Sequence, residues 1–452
     1  MNTLDDASHV VTLRLQLPDQ PGSLATALDV IGASGAHVGD IALVGIDGAF
    51  KIRDVEVYFV DPPHCQSTVE RLRSTDVEVL RTVDVVMEVH RGGSIATRAR
   101  VALDSLSDLR RVYTPGVARV CSKIAEDPGA AWDYTAIGHK VAIVSNGTAV
   151  LGLGDIGPLA SLPVMEGKAA IFSKFVGLSA EPLLIDSKDP RLLIDTVARC
   201  ASGYGAIQLE DIAAPACFDV ERGLQKILDK PVFHDDQHGT ATVCVAGLKS
   251  ALQRVGRTPS ECEAVVLGSG AAGSAITRFL LEFGVADVVM VDSVGAIFEG
   301  RSDKMSDEKR ALAAISNKGG VQGSLAEVLK GRNLFVGVSR PGLVSPEMVR
   351  SMAQDPIVFA LANPVSEISV GDAKQAGAAV AMDGRGMNNA LAYPGIFRGA
   401  LMARARRITP KMMLAAADAL SEAAGEHLLP DMMDLSVHER VSLAVCNAAD
   451  PD

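Results

Sequence analysis

The chain has 452 residues, which is too long for one hydrophobic core and suits two or three domains. Hydrophobic residues make up 48% and charged residues 22%, so no large disordered region is expected. A net charge of −12 argues against a nucleic-acid or anionic-membrane partner, and no apolar run is long enough to span a bilayer. The seven cysteines are scattered and never spaced C-x-x-C, which favours reduced thiols and a cytoplasmic location.

The first ninety residues predict a small α/β module that spans residues 1–92. Alternating and amphipathic patterns predict strands at 10–17, 38–45, 54–60 and 77–89, and helices at 23–33 and 67–75. The order β-α-β-β-α-β is the split βαβ pattern of ferredoxin-like folds. The sequence Arg-Gly-Gly-Ser at 91–94 indicates a linker after this module.

The turn after the first predicted strand carries a short motif, D-x-P-G-x-L, from Asp19 to Leu24. This segment resembles the first strand-to-helix loop of an ACT domain. The resemblance implies a regulatory module that pairs with another copy and binds an amino acid or similar effector, with Asp19, Pro21 and Gly22 at the effector site. An alternative of equal weight is an α/β cap that only assists dimerisation.

After the linker the chain alternates strands and helices, the pattern of a doubly wound parallel sheet. The sequence G-x-G-x-x-G at 268–273 follows a predicted strand and opens a helix, and the next strand ends at Asp292. This is the layout of a Rossmann-type dinucleotide-binding domain, with pyrophosphate at the helix N-terminus and the acid on the ribose. The predicted coenzyme contacts are Gly268, Gly270, Ala271, Ala272, Gly273, Asp292, Ser293 and Asn363.

The coenzyme itself is predicted to be NAD, because a carboxylate at Asp292 would repel the 2′-phosphate of NADP. Arg301 and Lys304 follow soon after, so NADP stays open. A second G-x-G-x-x-G match, at 152–157, is followed directly by Pro158 and lacks a strand ending in an acid. We interpret that match as a tight turn into the helix that carries Lys168.

Two pairs of adjacent acids, Glu210-Asp211 and Asp235-Asp236, each follow a short apolar run that looks like a strand end. Carboxylate pairs beside buried strands are costly unless a cation neutralises them. Mg²⁺ and Mn²⁺ prefer such all-oxygen ligand sets. Either pair taken alone could instead be solvated loop acids.

Further segments line up with these pairs in one order: YTPGVA, SNGTAVLGLGDIGPLASLPVMEGKAAIFSKF, LEDIAAPACF, FHDDQHGTA, VLGSGAAG, ANP and NNALAYPG. Over about residues 95–440 they resemble the malic enzyme family in its shorter bacterial form. The resemblance implies an α/β substrate and metal domain at 93–240 and an NAD(P)-binding domain with C-terminal helices at 241–452. It also implies a homodimer that converts (S)-malate to pyruvate and CO₂ while reducing NAD(P)⁺.

The resemblance further implies the roles of the site residues. The metal ligands would be Glu210, Asp211 and Asp236, with Asp235 beside the catalytic lysine. Lys168 would be the general base and Tyr113 the acid that protonates enolpyruvate. The substrate contacts would be Asn363, Asn388 and Asn389.

Other interpretations of these residues stay open at this point. From chemistry alone the tyrosine and the lysine could be ordinary surface residues, and the asparagines could be turn formers. The stretch 146–149 lacks the arginine that larger family members carry for the malate carboxylate. Alternative functions are a malolactic-type enzyme that yields lactate, or a catalytically inactive sensor of nucleotide and effector.

Overall fold

The computed structural model describes residues 9–150 and 152–450, which form two compact units that divide between Ala96 and Thr97. The strands are β1 His9–Pro18, β2 His37–Asp47, β3 Phe50–Phe59, β4 Glu78–Asp84, β5 Lys140–Ser145, β6 Ser179–Leu184, β7 Ala206–Leu209, β8 Val232–His234, β9 Glu263–Leu267, β10 Asp287–Asp292, β11 Gly295–Ala296, β12 Leu334–Gly337, β13 Ile357–Ala360 and β14 Val380–Asp383. The helices are α1 Ser23–Ala33, α2 Pro62–Leu72, α3 Val85–Val89, α4 Leu106–Val112, α5 Val117–Glu126, α6 Ala131–Tyr134, α7 Pro158–Val176, α8 Pro190–Cys200, α9 Ala216–Ile227, α10 Thr240–Val255, α11 Ala271–Glu282, α12 Asp307–Ala313, α13 Leu325–Leu329, α14 Pro346–Arg350, α15 Val370–Gln375, α16 Tyr393–Met402, α17 Pro410–Ala423 and α18 Leu435–Ala448. None of the helices in the described chain is both long and apolar enough to cross a membrane.

The N-terminal unit is an antiparallel sheet in the order β2-β3-β1-β4 with two helices, α1 and α2. Alternate residues of β1, from Val11 to Leu17, are buried and share a core with Ala27 and Ile31 of α1 and Val69 of α2. A strand whose side chains alternate between faces buries every second residue against the helices that cover it. The predicted order β-α-β-β-α-β is therefore observed.

Several predicted boundaries in this unit are wrong: β3, predicted from residue 54, begins at Phe50. A capping carboxylate explains the two largest differences. The strand predicted at 77–89 ends at Asp84, whose side chain accepts the Met87 N–H at 3.0 Å and starts α3. The helix predicted at 67–75 is α2, which begins at Pro62 because Asp61 accepts the His64 N–H at 2.8 Å. Prolines occupy the first helical positions, where no backbone donor is needed.

The second unit contains two parallel sheets, in the orders β6-β5-β7-β8 and β11-β10-β9-β12-β13-β14. Only the β10–β11 pair is antiparallel among the described strand pairs of these sheets. Adjacent residues of the larger sheet enter different apolar clusters, as Val266 and Val265 of β9 do. Both faces of this sheet are therefore covered, which confirms the Rossmann-type doubly wound fold.

The ends of the parallel strands place the candidate residues at one edge of each sheet. Glu210 follows β7, and Asp235 follows its neighbour β8. Asn363 lies shortly after β13 of the larger sheet. Carboxyl ends of parallel strands are where α/β proteins bind their ligands. The predicted division of this unit at residue 240 stays a prediction.

Candidate active site

Three carboxylates meet where β7 and β8 end. Oxygen atoms of Glu210, Asp211 and Asp236 lie within 4.8 Å of one another. The backbone of Asp211 is left-handed, with φ +53°, a conformation that Asp tolerates better than most residues. That backbone is held on both sides, because its N–H donates to Asp236 Oδ2 at 2.9 Å and its carbonyl accepts the N–H groups of Thr148 and Ala149 at 3.1 and 3.0 Å.

Burial and mutual repulsion of these three carboxylates favour the binding of a cation. Burial, then repulsion from Glu210 and Asp236, raises the pKa of Asp211 to about 8. Burial likewise raises the pKa values of Glu210 and Asp236. Asp211 Oδ2 is buried and has no hydrogen-bond partner among the described residues. Three crowded carboxylates, one with an unsatisfied oxygen, fit a hard divalent cation such as Mg²⁺ or Mn²⁺.

Lys168 of α7 joins the two acid pairs. Its Nζ lies 2.9 Å from Glu210 Oε1 and 2.5 Å from Asp235 Oδ2, and the lysine side chain is only 12% exposed. Burial lowers the pKa of Lys168, but attraction by Asp235 and Glu210 outweighs it and holds the pKa well above its ordinary value. Asp235 is fully buried and also accepts the Asn389 Nδ2–H at 2.8 Å. Lys168, Glu210 and Asp235 therefore form one connected set of side chains, the lysine group.

The three asparagines occupy different settings. Asn389 contacts Asp235, whereas Asn388 is exposed and its Oδ1 accepts the backbone N–H two residues ahead at 2.9 Å. The Asn363 side chain lies against Gly384, where an added Cβ would be 2.8 Å from Asn363 Nδ2. An added Cβ at Gly152 would lie 3.4 Å from the Asn363 carbonyl oxygen. The structure therefore joins Asn389 to the lysine group and gives Asn388 the capping role of a turn former.

Tyr113 has a largely exposed side chain. It follows α4 and is 66% exposed. Among the described residues, no hydrogen bond or ion pair joins its side chain to Lys168 or to the carboxylates. The hydrogen bonds and ion pairs of the described residues therefore do not connect Tyr113 to the lysine and the carboxylates.

The coenzyme loop joins β9 to α11 with the expected geometry. Gly268 has φ +116°, and a Cβ there would approach the Val338 carbonyl oxygen to 2.7 Å. A Cβ on Gly273 would lie 1.9 Å from the Gly268 carbonyl oxygen. Gly270 precedes Ala271, the first residue of α11. Only glycines permit this close approach of strand, loop and helix, which leaves backbone N–H groups free for a pyrophosphate.

The acid at the end of β10 is paired with two cations. Asp292 Oδ2 accepts Arg301 Nη2 at 2.5 Å and Lys309 Nζ at 2.7 Å. Burial works against ionisation, but these two partners lower the pKa of Asp292 to about 2. Of the two cations considered from the sequence, Arg301 contacts the acid, while Lys304 contributes only its carbonyl, to Lys309. The second partner, Lys309, was missed because it lies on α12.

The other glycine motif forms a tight turn, as expected. Gly152, Gly154 and Gly157 all have positive φ, between +77° and +81°. Pro158 then begins α7, the helix that carries Lys168. Positive φ at three glycines bends the backbone sharply, so this motif positions a helix that bears a catalytic candidate.

Comparisons with known proteins agree with this geometry. A family model for the malic enzyme N-terminal domain matches residues 95–193, and one for the malic enzyme NAD-binding domain matches residues 237–379 and 372–449. The chain belongs to the malic enzyme family. The relatives include an NAD-dependent malic enzyme of Geobacillus stearothermophilus, 42% identical over 98% of this chain and 95% of that protein.

Other malic enzyme relatives differ in coverage and in coenzyme. A bifunctional malic/malolactic enzyme of Bacillus subtilis is 46% identical over 79% of this chain and 90% of its own length. An NADP-dependent malic enzyme of Halomonas elongata is 42% identical over 76% of this chain and 86% of its own length. The crystal structure of the NAD-dependent malic enzyme from Thermotoga maritima superposes with a TM-score of 0.78, at 40% identity, over 80% of this chain and 99% of that one.

Two residues of this malic enzyme site escaped the sequence analysis. Tyr393 is fully buried, and Lys168 Nζ lies 4.6 Å from its ring centroid. Its signal was its place in the segment NNALAYPG, where only the asparagines were weighed. Glu221 of α9 accepts the backbone N–H of His234 at 3.0 Å and His238 Nε2–H at 2.9 Å, and so fixes the segment that bears Asp235. Nothing in the sequence around Glu221 distinguished it from other helix acids.

Proposed function

We propose that this chain catalyses the oxidative decarboxylation of (S)-malate to pyruvate and CO₂, with NAD(P)⁺ as the hydride acceptor. The observation that carries the proposal is the contact of buried Lys168 with both Glu210 and Asp235. It places a candidate base against an acid cluster suited to a divalent cation. The glycine loop of a dinucleotide-binding fold supplies the coenzyme site, and the named activities of the relatives agree.

In the proposed mechanism Lys168 accepts the proton of the malate C2 hydroxyl while a hydride leaves C2 for the nicotinamide. A divalent cation held by Glu210, Asp211 and Asp236 would acidify that hydroxyl and stabilise the later enolate. Neutralisation of Glu210 would remove one of the two attractions that keep the lysine protonated. Cleavage of the C3–C4 bond releases CO₂, and an acid, assigned to Tyr113, returns a proton to C3. Asp235 and Asn389 orient the lysine and the substrate.

The direct test is an initial-rate assay with malate, comparing NAD⁺ with NADP⁺ and the presence of Mn²⁺ with its absence. The proposal expects pyruvate and reduced coenzyme to form in equal amounts. A malolactic-type enzyme would instead yield lactate without net coenzyme reduction, and one relative is a bifunctional malic/malolactic enzyme. No turnover with either coenzyme and metal would favour the inactive sensor.

For the coenzyme we propose NAD⁺ as the preferred acceptor, with NADP⁺ also accepted. Asp292 keeps its charge near neutral pH and repels a 2′-phosphate. However, Arg301 and Lys309 bring two positive charges to the same place. A 2′-phosphate would therefore meet cations as well as the carboxylate.

Replacement of Lys309 by glutamine is expected to lower kcat/KM for NADP⁺ by about 10- to 150-fold, since a hydrogen bond to a charged group contributes roughly 1.5–3 kcal/mol. The value for NAD⁺ should change much less, because NAD⁺ has no 2′-phosphate. Steady-state kinetics with both coenzymes measures the difference. Lys304→Gln, which removes a nearby cation that does not contact Asp292, is the matched control. Equal losses with the two coenzymes would show that Lys309 only supports the fold.

We infer that the chain acts as a homodimer in which Tyr113 reaches the active site of a second copy. The tyrosine is exposed, and among the described residues no hydrogen bond or ion pair connects it to Lys168 of its own chain. The helix before it displays apolar side chains at Leu106, Leu109 and Val112, with exposures of 75%, 46% and 40%. An exposed apolar surface next to Tyr113, a catalytic candidate, supports a contact with another subunit.

A subunit-mixing experiment tests this arrangement. Tyr113→Phe and Lys168→Ala are each expected to be inactive alone. If the tyrosine acts across the dimer, each mixed dimer regains one complete site, and a random mixture recovers about a quarter of wild-type activity. If the tyrosine acts within its own chain, no site in the mixture is complete and activity stays absent. Refolding the two variants together and assaying malate oxidation distinguishes the outcomes, with each variant refolded alone as the control.

For the N-terminal unit we propose an ACT-like regulatory role with an amino acid or similar effector. Asp19 and Gly22 border a cavity of about 180 Å³ that Lys51 and Arg53 also line. Lys51 Nζ lies 2.6 Å from Asp19 Oδ1. Two cations beside a helix start suit an anionic group. Thermal-shift screening of amino acids against wild type and Lys51→Ala tests this, and the absence of any shift with the wild type would contradict it.

A further inference from the structure

Tyr393 lies at the start of α16. Among the aromatic residues of the described chain, it is the one whose ring faces Lys168 Nζ. The ring is completely buried, and Nζ lies 4.6 Å from its centroid. We propose that Tyr393 is a positioning residue. Its ring packs against the Lys168 amine and keeps the amine directed at the malate hydroxyl. This inference rests on the proposed function, in which Lys168 is the general base.

The support works through the ring and not through the hydroxyl. Two carboxylates, of Glu210 and Asp235, hold Nζ on its polar side. The Tyr393 hydroxyl is buried and has no hydrogen-bond partner among the described residues, so the ring is the part of Tyr393 that contacts the amine. A ring face attracts a cation but also remains in van der Waals contact with an uncharged amine. The ring therefore restricts Nζ whether or not a carboxylate is free to pair with it.

Tyr393 belongs to an aromatic cluster in which Phe172 is the ring that contacts it directly. Tyr393 makes an edge contact with Phe172 at 5.0 Å between centroids, and Phe172 lies one turn after Lys168 on α7. Phe397 contacts Phe172 at 5.5 Å and Phe233 of β8 at 5.5 Å. Among the described ring contacts, none joins Phe397 to Tyr393 itself. Among the rings of this cluster, the Tyr393 ring is the one that faces the Lys168 amine.

Three variants separate positioning from packing. Tyr393→Phe keeps the ring and should retain kcat within about threefold. Tyr393→Leu removes the ring and should lower kcat by about 30- to 100-fold, because small misplacements of a catalytic group cost up to about 10²-fold. Its KM for malate should change by less than about threefold, since the substrate contacts remain. Phe397→Leu weakens the same cluster without touching the lysine and should lower the melting temperature but leave kcat within about threefold.

The inference is overturned if Tyr393→Leu and Phe397→Leu lower kcat equally, or if Tyr393→Phe is as damaging as Tyr393→Leu. Melting curves for each variant identify any that do not fold, and Tyr393→Met, whose flexible chain fills the space, then replaces the leucine variant with the same expectations. Lys168→Ala is assayed alongside. If Lys168→Ala keeps malate oxidation, the proposed function fails. If it is inactive while Tyr393→Leu matches Phe397→Leu, only the inference fails.

Discussion

Replacement of Lys168 by alanine is expected to lower kcat for malate oxidation by about 10²- to 10⁴-fold, the range for loss of a general base. The lysine Nζ is the only described amine in contact with both Glu210 and Asp235, so no neighbouring side chain can take over proton removal. Lys168→Arg should be equally inactive, because a guanidinium keeps the charge but does not give up its proton. Initial rates with saturating malate and coenzyme measure the loss.

Lys174→Ala is the matched control, since Lys174 is an exposed residue of the same helix. It should keep full activity. A small primary amine added to Lys168→Ala should restore part of the rate, because it can occupy the space left by the side chain and accept the proton. Activity of Lys168→Ala or Lys168→Arg within about tenfold of wild type would contradict the assignment of this lysine as base.

Removal of divalent metal is the second change with a large expected effect. Exhaustive chelation should abolish malate oxidation, and Mn²⁺ or Mg²⁺ should restore it. Asp211→Asn should raise the metal concentration needed for half-maximal activity by at least about tenfold, because a ligand charge is lost. Glu282→Gln, which removes an exposed carboxylate elsewhere, should change nothing. Unchanged rates after chelation would contradict the metal assignment.

The acid cluster also predicts how metal binding depends on pH. The pKa of Asp211 is raised to about 8, so below that pH metal must displace a proton. Apparent Mn²⁺ affinity should therefore rise between pH 6 and pH 8, by up to about tenfold per unit for each proton displaced. Isothermal titration at both pH values measures this, and affinity that is flat or falls would contradict it.

The folding stability of the metal-free protein should fall as the pH rises, whereas its Mn²⁺ affinity rises. Between the ordinary pKa of an acid and its raised value in the folded state, the folded protein binds more protons than the unfolded chain. Stability then falls as pH rises, and for Asp211 this window extends to about pH 8. The high pKa of Lys168 lies above the window, so its contribution stays constant there. Mn²⁺ should accordingly raise the melting temperature more at pH 8 than at pH 6.

The sequence predicted the acid cluster because its cause is local. Each acid pair directly follows an apolar strand, and parallel strands bring their carboxyl ends to one edge. The β7–β8 pairing then places Glu210 near Asp236. The close approach at Gly268 and Gly273 was also predictable, because the spacing of these glycines between a strand and a helix is itself local.

Features that depend on distant parts of the chain were not predictable in this way. Lys309 reaches Asp292 only because α12 folds back beside β10, and no spacing rule places it there. Tyr393 lies under Lys168 through the packing of α16 on α7, which a strand-by-strand pattern does not contain. At the end of β4, the capping preference of Asp84 was stronger than the β-branched sequence that predicted a longer strand.

The hydrogen bond from Asn389 to Asp235 connects two sheets, since Asp235 follows β8 of one and Asn389 follows β14 of the other. A change in the separation of the two sheets at this point would lengthen or break this bond. Asp235, which pairs with Lys168, would then lose its contact with the other sheet. Proton removal by the lysine would therefore depend on the relative position of the two sheets.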